Sequence, residues 1–79
     1  MNKERREELY GVIESLDEAI DQLADIQSEE EESYDNLPDG LQCGKTGEAI
    51  QNAIDRLSGF SDEISQIKDK IEKMAKNKK

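Results

Sequence analysis

Four groups of side chains in this 79-residue chain have types and spacings that could do chemistry. Gly44, Lys45 and Thr46 stand just before a helical pattern, as in a phosphate-cradling loop of pattern GxxxxGK[ST], where backbone amides and a lysine hold the phosphates. The first glycine of that pattern falls on Asp39, with Gly40 one residue late, and no strand precedes the loop. Asp35, Asp39 and Gly40 match the first, fifth and sixth places of a calcium loop. Leu37 holds its third place and Thr46 its twelfth, where a bidentate glutamate is required. Glu29, Glu30, Glu31 and Glu32 could serve as general acids, metal ligands or a phosphate mimic, but four consecutive residues cover every side of a helix and do not converge. Cys43 could be a thiol activated by Lys45, yet the chain has no histidine to complete a nucleophilic pair. The residues therefore assign no catalytic group, no cofactor and no metal site, and the chain reads as non-enzymatic.

The elements that position these groups follow from the stretch Tyr34 to Gly47, YDNLPDGLQCGKTG. It holds three of the five glycines, the single proline and the single cysteine, and a proline-free run of helical periodicity lies on either side. The pattern predicts one domain over 1–79: a helix over about 3–34, a turn over about 35–46 and a helix over about 47–76. In the first helix, Leu9, Leu16 and Leu23 occupy heptad position d and Ile13 and Ile20 position a, with Val12, Ala19 and Ile26 in a flanking row. Towards the turn the seam is interrupted by Gln27 and Glu30 before Tyr34 and Leu37 restore it. In the second, Ile50, Leu57, Ile64 and Ile71 lie at a, and Ala53, Phe60, Ile67 and Met74 at d, while Ile54 widens the stripe. Gly11 and Gly59 weaken these helices by about 1 kcal/mol each relative to alanine unless a neighbour packs closely against them. Thr46 is the expected N-cap of the second helix, with Glu48 in its first turn. In the turn, Pro38, Asp39 and Gly40 should reverse the chain after Asp35 or Asn36 ends the first helix, with Leu37 and Leu41 folded beneath as an apolar plug. Asn36 and Gln42 can satisfy exposed backbone groups there.

At about 1.5 Å per residue each helix would run about 45 Å, so the two can lie antiparallel along their whole length. A two-helix unit of this size buries little surface, and its stripes are wider than one facing helix covers. The expected fold is all-α, an antiparallel coiled-coil hairpin that dimerises into a four-helix bundle. Its oligomer core would comprise Leu9, Ile13, Leu16, Ile20, Leu23, Ile50, Ile54, Leu57, Phe60, Ile64, Ile67 and Ile71.

The net charge is −9, with 39% charged and 33% hydrophobic residues. Residues 2–35 carry 13 acids and 3 bases, residues 36–45 one of each, and residues 46–79 carry 6 acids and 7 bases. Folding back therefore gives a basic open end, with Lys3, Arg5 and Arg6 beside Lys68, Lys70, Lys73, Lys76, Lys78 and Lys79, and an acidic closed end. Such a surface repels nucleic acid and anionic membranes and favours a basic protein partner. No apolar segment follows the charged start MNKERREELY, none approaches a membrane span, and one cysteine allows no internal disulfide. A soluble, cytoplasmic protein is the expectation.

The string EEEESYDNLPDGLQ, followed by an amphipathic helix, resembles a widespread type of small uncharacterised protein from bacteriophages and bacterial mobile elements. In those an acidic helix leads into a motif like YDNLPxxLQ before a second helix. Tyr34, Asp35, Asn36, Leu37, Pro38, Leu41 and Gln42 carry the resemblance, with Glu48 beyond them, and Cys43 and Gly44 depart from it. It implies a phage-like origin, a helical hairpin and no particular reaction. Together these readings give an interaction module whose partner-binding residues are Glu29, Glu30, Glu31, Glu32, Tyr34, Asp35, Asn36, Leu41 and Gln42. The alternative is a phage-encoded inhibitor of a host nucleic-acid-binding defence protein, its acidic end imitating phosphates.

Overall fold

The computed structural model describes residues 1–76 and contains α1 (Lys3–Asp35), a four-residue α2 (Asp39–Gln42) and α3 (Lys45–Lys76), with no strand among the described residues. Helices α1 and α3 pack along each other, and the chain forms a rod of 59 × 15 × 11 Å across its Cα atoms. The expected hairpin is the observed one. Lys78 and Lys79, assigned above to the basic end, lie outside the described residues.

Register is set across the middle of the rod, where Lys68 Nζ donates to Asp17 Oδ1 at 2.7 Å. That hydrogen bond is the largest influence on Lys68, whose pKa is raised above its ordinary 10.5. Partial desolvation acts the other way, and the charges of Asp17, Glu72 and Asp69 add to the rise. Near the open end Lys3, Arg6, Glu7 and Tyr10 line a cleft with Ala75 and Lys76.

The seam of α1 is the one its heptads specify. Ile13 is buried, and Leu9, Leu16, Ile20, Leu23, Gln27, Glu30, Tyr34 and Leu37 are all half-buried along the same stripe. The seam of α3 is rotated from its expected a/d positions. Ile50, Leu57, Ile64 and Ile71 are half-buried at a, but their companions are Gly47, Ile54, Ser61, Lys68 and Ala75 at e, whereas Phe60, Ile67 and Met74 at d are exposed. Small side chains explain the choice. Gly47, Ser61 and Ala75 let the neighbouring backbone approach, and Lys68 finds Asp17 only in this orientation.

At its start, α1 is capped by Asn2, whose Oδ1 accepts from the Arg5 amide at 2.9 Å. It ends at Asn36, whose amide donates to the Glu32 carbonyl at 3.0 Å. The expected turn at Pro38–Gly40 is a turn of helix instead, because the Leu41 and Gln42 amides both donate to the Pro38 carbonyl at 2.9 and 3.1 Å. Thr46 does not cap α3. The Gly44 carbonyl already accepts from the Glu48 amide at 3.0 Å, so α3 opens at Lys45 and Thr46 sits within its first turn. With α2 running to Gln42, only Cys43 and Gly44 remain to join the helices.

Candidate functional site

The closed end is held by two devices. Gln42 Nε2 donates to the Tyr34 carbonyl at 3.0 Å, adding a side-chain bond to an oxygen at the end of α1 that already accepts from the Leu37 amide at 3.1 Å. Gly47 then lies directly under α2. A Cβ added there would fall on the Gln42 carbonyl oxygen and within 2.6 Å of its carbonyl carbon and 2.8 Å of its Cα. Gly47 is thus required by a close backbone approach. Its place at the end of a glycine-rich stretch was visible in the sequence, but the need for it was not.

Of the nine residues expected to bind a partner, Glu29, Glu31, Glu32, Asp35, Asn36 and Leu41 are exposed. Glu30 and Tyr34 are half-buried in the α1 seam, and Gln42 is half-buried and committed to its bond with Tyr34. Leu37 tucks beneath the turn as expected, whereas Leu41 remains 48% exposed and does not complete the plug. The helical phase decides this, because α2 presents its Gln42 side inward and its Leu41 side outward. Glu31 Oε1 accepts from Gln27 Nε2 at 3.3 Å. Among the described residues Asp17 is the one carboxylate in an ion pair, so Glu29, Glu31, Glu32 and Asp35 at the closed end stand exposed without a cation.

The other chemical patterns resolve into backbone structure. The amides of Leu41, Gln42 and Gly44 donate to carbonyls of Pro38 and Leu41, so this part of the glycine-rich stretch is hydrogen-bonded to itself. Among the described residues no three Asp, Glu or Cys side chains are grouped to hold a metal ion, and Asp35 and Asp39 do not meet at such a site. Cys43 is a free, exposed thiol at the end of α2.

A second surface lies on one long face. Phe60, Ile67 and Met74 are 49%, 50% and 56% exposed, one heptad apart on α3, and Val12 and Ile26 are exposed on α1 with Ala19 between them half-buried. Among the described residues only Ile13 and Ala75 form a buried apolar core. The expected oligomer core is therefore divided. Most of it lines the hairpin seam, while Phe60 and Ile67 face outward.

No helix of the described residues is long and apolar enough to cross a membrane. No family model matches the chain, and no curated protein or solved structure matches it at a significant level.

Proposed function

We propose that this protein is a non-enzymatic interaction module of phage-like origin, acting in the cytoplasm of a bacterial host. It self-associates through its helices into a four-helix bundle and binds a basic protein through its acidic closed end. The observation that carries the reading is the row Phe60, Ile67 and Met74, about half exposed on a hairpin whose own buried core, among the described residues, is two residues. A rod this thin removes too little apolar surface from water to offset its chain entropy comfortably, and covering a second face supplies what is missing. Sedimentation equilibrium over a wide concentration range is the test. A dimer whose melting temperature falls on dilution is expected; a monomer at high concentration, with a melting temperature independent of dilution, overturns the reading.

The second reading, an acidic inhibitor that imitates nucleic acid, is favoured by the exposed and unpaired carboxylates of Glu29, Glu31, Glu32 and Asp35. Affinity capture from bacterial lysate with and without nuclease separates the two. One basic nuclease or DNA-binding protein, retained after nuclease treatment and displaced by duplex DNA, supports inhibition. Structural phage proteins support assembly.

A further inference from the structure

The Asp17–Lys68 bond fixes which residues share a level along the rod. Counting outward from it, Val12 lies nearest the level of Met74, Ala19 that of Ile67, and Ile26 that of Phe60, to within the roughly four residues of rise that a lysine side chain spans. These three layers are about 10 Å apart, seven residues at about 1.5 Å each. Both columns also emerge on the same face. In α1 the Val12 column and Asp17 flank the seam on opposite sides, and in α3 the Phe60 column lies on the side of the seam away from Lys68. The rod thus carries a continuous apolar strip opposite its ion pair.

That face is also poor in charge. Between Glu8 and Glu29 the residues that α1 presents there are Val12, Ser15, Ala19, Gln22 and Ile26. The five acids of the same stretch, Glu14, Asp17, Glu18, Asp21 and Asp25, turn about 100° or more away from the centre of the Val12, Ala19 and Ile26 column. Between Glu8 and Glu29, α1 thus keeps the Val12 column free of acids, which suits that stretch to desolvation.

We propose that this strip is covered by a second copy of the chain, stacked antiparallel, with a two-fold axis across the rod through the Ala19 and Ile67 layer. This rests on the self-associating reading above and assigns it a geometry. Three features fit it. The columns are symmetric about that layer, so Val12 meets the partner's Ile26, Phe60 meets the partner's Met74, and Ala19 and Ile67 each meet their own copy, as a two-fold interface requires. On the outer edge of α3, Glu63 and Lys70 straddle Ile67, and the same rotation brings each beside the opposite charge of its partner. Finally, the rod is polar: antiparallel stacking sets each acidic closed end beside the other's basic Lys3, Arg5 and Arg6, whereas parallel stacking would crowd two acidic ends together. The broad face, 59 × 15 Å, has the scale of the ~800 Å² that each partner buries in a stable interface. Glu31, Glu32 and Asp35 stay on the uncovered side, free for another protein.

The single cysteine makes the geometry measurable, because Cys43 is exposed at the closed end. Spin labels on Cys43 of the otherwise unaltered chain, read by double electron–electron resonance, should lie about 70 Å apart in the antiparallel dimer, twice the roughly 24 residues of rise between Ile67 and Cys43 at about 1.5 Å each. A dimer in sedimentation with a label distance below about 30 Å overturns the antiparallel stacking and leaves self-association standing; a monomer overturns both. A second measurement needs no label. E63K and K70E should each weaken the dimer about ten-fold, through two symmetric surface pairs, and the double reversal should restore it. Single variants that dimerise like the parent, or a double variant that stays weak, contradict the pairing.

Discussion

Replacing Gly47 with alanine tests whether the closed end is built on backbone contact. The new Cβ would lie 2.6 and 2.8 Å from the carbonyl carbon and Cα of Gln42, where ordinary carbon contacts begin near 3.5 Å. These are main-chain atoms of a helical turn, so relief requires α2 to move away by about 1 Å rather than a side chain to rotate. Overpacking costs about 1–3 kcal/mol, a clash with main-chain atoms this close falls in the upper part at about 2–3 kcal/mol, and alanine returns about 1 kcal/mol through its better helix propensity. The net loss is about 1–2 kcal/mol. For a chain of this size each kcal/mol shifts the melting temperature by about 4–8 °C, so G47A should melt about 4–16 °C lower by circular dichroism at matched concentration. Gly11 is the internal control, because a Cβ there meets nothing within 4 Å. G11A should gain about 0.5–1 kcal/mol and melt higher. If G47A melts at or above the parent while G11A behaves as expected, α2 does not rest on Gly47 and the account of the turn fails.

Ile64 lies at the centre of the regular α3 seam, half-buried, and I64D places an unpaired carboxylate there. It should cost at least 2 kcal/mol and weaken folding and association together, read as a loss of helical signal that higher protein concentration partly recovers. For the Asp17–Lys68 pair the sign follows from the raised lysine pKa. Its stabilisation is complete below the unfolded value of 10.5 and is lost as pH rises through the higher folded value, so on raising the pH from neutrality the melting-temperature gap between parent and D17N should hold and close only above pH 10.5. A gap that closes between neutrality and pH 9 would contradict the assignment. At the closed end, replacing Glu29, Glu31 and Glu32 together with glutamine should slow association with a basic partner and flatten its salt dependence without lowering helicity. Association that is salt-insensitive in the parent and unchanged in the variant would remove the acidic end from the mechanism.

Periodicity and turn chemistry were enough to draw the hairpin. A single cluster of glycine and proline between two proline-free helical runs admits one reversal, and α1 ends within one residue of its expected place. The Gln42 bond to backbone was legible for the same local reason, since a side-chain amide near a helix C-terminus has the last carbonyls of that helix within reach. Asn2 as the α1 cap had an equally local signal and was overlooked. Helix α2 and the opening of α3 at Lys45 were misjudged because Gly44 and Pro38 carry strong turn preferences that short hydrogen-bonded turns also satisfy.

The sequence determined that α3 has apolar residues at both a and d, but not which of them faces α1. Burial on a helix depends on what the opposing surface can accommodate. Gly47, Ser61 and Ala75 admit close backbone approach and Lys68 can reach Asp17, so α3 rolls until the e column is inside and Phe60, Ile67 and Met74 stand outside. Hydrophobic pattern counts apolar residues per turn and is blind to a rotation of one column. Only the packed pair of helices fixes that angle, and with it the apolar face of the rod.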